Sequence, residues 1–197
     1  MFNRNAIGTL LLGGLFAALW VLPGCSIRTN DNAKDGEKQV DIKSPVGDLH
    51  VSEQVDIRDS GLTVYPGAKP APKDDGDDKK SANVNVSVPG FALKVVAAEF
   101  ISDDAPDKII AYYNKELPKY GKPIQCHGAW NRGHKDYDSK DDLSKPVSCG
   151  SSGSGDSVEL KVGTEGNQHI VSIKPNSQGS RFALVYVRIR TGQGDTI

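Results

Sequence analysis

Apolar and polar side chains alternate with a period of two along much of the chain, and that pattern predicts half-buried strands. Val84, Val86 and Val88 alternate with Asn83, Asn85 and Ser87. Phe91 to Phe100 (FALKVVAAEF) is more apolar and reads as a central strand. Pro89-Gly90 separates the two. A Pro-Gly turn of type II matches the twist of a tight hairpin poorly, so a connection looser than two residues is expected. Further on, Val158, Leu160 and Val162 alternate with Glu159 and Lys161, and the turn Thr164-Glu165-Gly166-Asn167 leads back into His169 to Lys174. A second turn, Pro175 to Ser180, leads into Arg181 to Arg190 (RFALVYVRIR). These three strands predict an antiparallel meander with short connections. In the last of them Ala183, Val185, Val187 and Ile189 face one way. Phe182, Leu184, Tyr186, Arg188 and Arg190 face the other.

The period changes to 3.6 only once. Ile109, Tyr113, Leu117 and Tyr120 fall on one helical face, with Lys108, Lys115 and Lys119 away from it. Asp104 is placed to cap this helix, and Pro106 suits its first turn. Pro118 ends the regular helix by removing a backbone donor, and Gly121 closes the turn. Pro123 to Cys126 reads as a short strand after it. Upstream, Val40 to Lys43 and Leu49 to Val51 flank a turn at Ser44 to Asp48 and predict a small hairpin. Together these elements predict an α+β fold: an antiparallel sheet of about five strands with one principal helix packed on one face. A single domain is expected over 40–190, followed by a polar tail over 191–197. Residues 25–39 are polar and without apolar periodicity, so they read as a flexible tether.

The N-terminus has a different pattern. Arg4 precedes an uncharged run from Ala6 to Val21, which at about 16 residues is short for a membrane-spanning helix. The run ends in Leu22-Pro23-Gly24-Cys25, which resembles the lipobox of bacterial lipoproteins. The resemblance implies that 1–24 is a signal peptide, that Cys25 is lipidated on its thiol, and that the chain is cut just before it. Two or three acyl chains then hold the protein on the membrane, since one chain alone binds only marginally. Ser26 rather than Asp follows the cysteine. In an organism with two membranes the resemblance implies the outer one, facing the periplasm or the cell surface. Tyr65-Pro66-Gly67-Ala68 resembles a short segment of uncharacterised exported bacterial proteins, and implies no activity.

Charge and cysteine content narrow the picture. The formal net charge is −1 and no basic block is present, which argues against a nucleic-acid partner. With Cys25 set aside for lipid, Cys126 and Cys149 remain as an even pair in an oxidising compartment, and a disulfide is expected. Closing that loop of about 24 residues contributes roughly 3 kcal/mol in the chain-entropy account. The rival reading, a metal or redox pair, lacks a Cys-x-x-Cys motif.

Candidate chemistry is sparse. There is no nucleophile elbow, phosphate-binding glycine loop, dinucleotide fingerprint or zinc-protease helix. Asp74-Asp75-Gly76-Asp77-Asp78 fails the calcium-loop pattern, because Asn85 stands where the bidentate Glu is needed. The long insertion from His127 to Ser157 holds Trp130, His134, Asp136, Asp138, Asp141 and Asp142 without metal-ligand spacing. No catalytic residue, cofactor or metal is therefore assigned. The remaining candidates are surfaces. Tyr112, Tyr113 and Trp130 could line a ligand pocket between helix and sheet. Phe182, Leu184 and Tyr186 form either a partner surface or a face covered by the N-terminal segment. The expected function is a non-catalytic, lipid-anchored envelope protein that binds an envelope partner or has a structural role. The alternative is a small-ligand-binding lipoprotein.

Overall fold

A computed structural model describes residues 24–32, 37–53, 55–72, 81–128, 142–149 and 155–192. Trp130, His134 and most of the 127–157 insertion lie outside the described residues, as does the apolar run before Pro23.

The described chain is mainly one antiparallel sheet. Its strands are β1 (Ser26–Asn32), β2 (Glu37–Ser44), β3 (Gly47–Ser52), β4 (Lys69–Pro70) and β5 (Ser81–Val88). They continue with β6 (Phe91–Ser102), β7 (Ile124–His127), β8 (Val158–Thr164), β9 (Asn167–Asn176) and β10 (Gly179–Thr191). The order across the sheet is β1-β2-β3-β5-β6-β10-β9-β8-β7, with β4 paired to the far end of β6. Ten strands stand against one helical segment of 15 residues, which corrects the expected α+β fold with about five strands. The undercount has two physical sources. β6, at 12 residues, is long enough to pair with β5 and then with the short β4 along one side. The polar Ser26–Asn32 stretch becomes a strand by pairing along its whole length with β2, from Ser26 opposite Lys43 to Asn32 opposite Glu37. Seven of the fifteen residues of the expected tether are thus an edge strand, supported by ladder hydrogen bonds rather than by apolar burial.

The β5–β6 connection is also tighter than expected. Val88 pairs directly with Phe91, leaving Pro89-Gly90 as a two-residue turn. Gly90 has φ 81°, a left-handed conformation that residues with a Cβ adopt only at a cost. The meander β8-β9-β10 forms with consecutive strands adjacent.

The helix α1 (Pro106–Glu116) gives way at Leu117–Tyr120 to a 3₁₀ turn that contains Pro118. Gly121 donates its backbone N–H to the Pro118 carbonyl, ending the segment. The N-cap of α1 is Ala105, without a side-chain cap, and the carboxylate of Asp104, one residue earlier, meets Tyr65 and Lys108 instead. Ile109, Tyr113 and Leu117 are fully buried against Leu160, Val162, Val171, Ile173, Phe182 and Leu184. Burying each large aliphatic side chain of this layer stabilises the fold by roughly 1.5–3 kcal/mol. The segment 55–68 completes the cover through Leu62, Val64 and Tyr65.

Candidate functional site

Directly opposed residues of an antiparallel ladder share a face, so the pairing register defines rungs that cross the sheet. One rung runs Ile27, Ile42, Leu49, Val86, Leu93, Ile189 over six strands. The next rung on the same face runs Thr29, Val40, Val51, Val84, Val95, Val187. The rung between them, on the opposite face, is Arg28, Asp41, His50, Asn85, Lys94, Arg188. This half of the sheet is therefore amphipathic, with one aliphatic face and one polar face. The α1 core lies on the polar-rung side, farther along β6 and β10 and across β8 and β9. None of the two aliphatic rungs joins that core cluster.

Six strands end together where Cys25 emerges. Ser26 is opposite Lys43, next to the Pro45-Val46 turn, and the Pro89-Gly90 turn lies at the same end. Cys25 is a free, exposed cysteine immediately before β1. The exposed large hydrophobic residues among those described are Ile27 (66% exposed), Val46 (71%), Val88 (41%) and Phe91 (37%). All of them sit at this end. On its polar face the last two rungs carry Arg28, Lys43, Lys94, Arg188 and Arg190, against only Asp41 and Asp48. A cleft of about 500 Å³ opens between the two turns and the end of β10, lined by Pro45, Asp48, Pro89, Phe91 and Arg190 among others. Asp41 holds His50 Nδ1 at 2.5 Å and accepts from Gln39 Nε2 at 3.0 Å. The His50 contact, then that with Gln39 and the charge of Lys43, keeps the Asp41 carboxyl below the usual range. This pair ties β2 to β3 on the polar face.

The residues singled out from sequence are dispersed. Phe182 and Leu184 are 1% and 0% exposed, covered by α1 and the 55–68 segment, so they belong to the core rather than to a surface. Tyr113 is fully buried and donates its hydroxyl to the Thr63 carbonyl. Burial pushes its hydroxyl pKa far upward. Tyr112 is half-buried, edge-on to Tyr65 at 5.2 Å and to Tyr113 at 5.0 Å. Desolvation, then the charge of Glu116, raises its pKa. Tyr65 donates to Asp104 Oδ2 at 2.9 Å, and Lys108 Nζ reaches Asp104 Oδ1 at 2.5 Å. Lys108 first and Tyr65 second depress the Asp104 pKa, while Asp104 raises that of Tyr65. Tyr186 is half-buried and lies against His169, not beside Phe182 as part of one patch. The space between helix and sheet is thus filled by side chains, and Trp130 is outside the described residues.

Cys126 and Cys149 form a disulfide that ties β7 to the 142–149 segment. Pro146 bridges to Thr164 there, anchoring the segment beside the β8–β9 turn. His127, the first insertion residue, is exposed and contacts only the Gln125 amide among the described bonds. Among the described residues no group of three or more His, Cys, Asp or Glu gathers as metal ligands would. Val46, Val88, Phe91 and the two aliphatic rungs were not singled out by sequence reasoning. Their signal is the alternation in 40–51 and 83–95, which becomes a site only once the register aligns the strands.

No family model, characterised protein or solved structure matches this chain.

Proposed function

We propose that this chain is a lipid-anchored protein of the bacterial cell envelope, acylated at Cys25, with a non-catalytic role in binding an envelope partner or maintaining envelope structure. The observation that carries this reading is the sequence Leu22-Pro23-Gly24-Cys25 after an uncharged apolar run. The reading places the lipid on the Cys25 thiol, and hydrolysis of the Gly24–Cys25 peptide bond then makes Cys25 the mature N-terminus. In a chain with two membranes to choose from, Ser26 favours the outer one.

The geometry around Cys25 supports the reading. Its thiol is exposed and outside the disulfide. The end of the sheet beside it presents Ile27, Val46, Val88 and Phe91 to solvent. Apolar turns at that end suit contact with a bilayer interface, and the excess of Arg and Lys on the adjoining polar rungs suits anionic headgroups. The test is metabolic labelling of the full chain with a clickable fatty acid. Wild type is expected to carry the label, and Cys25→Ala to lose it and accumulate as uncut precursor. Label that survives the substitution overturns the reading.

A further inference from the structure

We propose that the aliphatic face crossed by the two rungs through Val86 and Val84 is a docking surface for a second copy of this chain, the two sheets stacking face to face. The observation is a complete one within the described residues. Two successive rungs, each six strands wide, carry eleven Val, Ile or Leu side chains and one Thr. They are half-buried by their own neighbours except Ile27 and Thr29, which are exposed. No described element packs on them, because α1 and the 55–68 segment both cover the other face.

Size decides whether such a face is ordinary. Six strands spaced about 4.8 Å apart give a width of roughly 29 Å, and each rung occupies about 6.8 Å along the strands. The two full rungs are flanked on β5, β6 and β10 by Val88 with Phe91 at one end and by Ala82, Ala97 and Val185 at the other. The flat area is then about 600 Å² per copy, at the top of the roughly 300–600 Å² that the largest apolar patch of a typical soluble monomer covers. Two such faces bury about 1,200 Å², enough for a specific interface.

Chemistry points to a copy rather than to a different protein. The two rungs carry no charge that would select an oppositely charged partner. Of the charged side chains on this face beyond the rungs, Arg181 pairs with Glu99 at 3.1 Å and Lys161 with Glu159 at 3.1 Å, while Lys38 stands exposed beside Val40 at the rim. A uniform Val-rich face is self-complementary about a two-fold axis, and aligned sheets pack about 10 Å apart through such side chains. Aromatic residues, which favour a lipid interface, are absent from both rungs. The proposal does not depend on acylation, since the face is present whatever happens to Cys25.

The test uses the full chain, in membranes and as the Cys25→Ala variant, with one added cysteine. Val84 lies near the middle of its rung, so a two-fold axis brings it close to its own copy. Mild oxidation is expected to give a covalent dimer from Val84→Cys and none from Asn83→Cys, its neighbour on the opposite face. Val86→Lys is expected to halve the mass in sedimentation while keeping the wild-type circular dichroism, and to remove the concentration dependence that dimerisation gives the wild-type unfolding midpoint. A Val84→Cys chain that stays single, crosslinks to another protein, or becomes protected only when vesicles are added overturns the proposal. Acylation with no dimer would sink this inference and leave the anchor reading standing. A dimer in a chain that takes no fatty acid would do the reverse.

Discussion

Tyr113, on the buried face of α1, donates its hydroxyl to the backbone carbonyl of Thr63 at 3.0 Å, across 50 residues of chain. This bond joins the helix to the 55–68 segment at the point where both cover the sheet. Tyr120 makes a second such tie, from its hydroxyl to the Gly61 carbonyl. Tyr113→Phe keeps the ring contacts with Phe182 but leaves the Thr63 carbonyl without this donor. A loss of about 1–2 kcal/mol is expected from chemical denaturation. Tyr112→Phe, at the half-buried neighbour, should change stability by less than about 0.5 kcal/mol. Equal effects of the two substitutions would show that the Thr63 bond contributes nothing specific.

His169 is 8% exposed. Its ring stacks on Tyr120 at 3.8 Å and lies 4.8 Å from Tyr186. Burial pushes its pKa down to about 4, and nearby Lys119 pushes the same way against a backbone hydrogen bond at Ser60. An unfolded histidine titrates near 6.5. Between these values the unfolded chain binds the proton that the folded chain refuses. The stability is therefore fully present above about pH 6.5 and is lost as pH falls toward 4. A loss of order 2 kcal/mol is expected between pH 7 and pH 4.5. His169→Phe keeps an aromatic ring in the stack and should flatten this part of the profile, read as urea midpoints at the two pH values. A variant that loses stability as steeply as wild type would rule out His169 as the cause.

The Cys126–Cys149 bond closes a loop with a sequence separation of 23. Replacing both cysteines by Ser is expected to destabilise the domain by about 3 kcal/mol, through the greater freedom of the unfolded chain. Denaturant unfolding of the double variant, against oxidised wild type, measures it. Alkylation of the native protein should find both thiols blocked until a reductant is added.

Gly163, in β8, has φ +108°, and a Cβ there would lie 2.2 Å from the Asn167 carbonyl oxygen. The contact is with backbone, so a side chain cannot rotate away from it. Gly163→Ala is expected to cost about 2 kcal/mol or more. The shift in thermal midpoint, with Gly155→Ala as an unhindered control, is the measurement.

Much of the fold was legible wherever a local pattern and the final environment agree. The β8-β9-β10 meander follows from alternation plus short turns, because consecutive strands pair without a long loop closure. The extent of α1 follows from the spacing of Ile109, Tyr113 and Leu117 and from the donor that Pro118 lacks. The disulfide followed from cysteine parity once Cys25 was assigned to lipid. Each of these rests on residues close in sequence or on a count.

Other features were set by partners distant in the chain. Ser26–Asn32 has no apolar period, and only the ladder to β2 makes it a strand. Asp104 has the chemistry of a helix cap, yet Tyr65 and Lys108 engage its carboxylate and the cap falls to Ala105. Phe182 and Leu184 read from the sequence as a partner surface or as a face covered by the N-terminal segment, and it is α1 and the 55–68 segment that cover them. The sequence by itself determined which residues of each strand share a face, because side chains alternate with a period of two. Only the tertiary register decided that Ile42, Leu49, Val86, Leu93 and Ile189 fall in one line. A one-residue slip between any two strands would turn that line to the opposite face, and no single strand carries the information that prevents it.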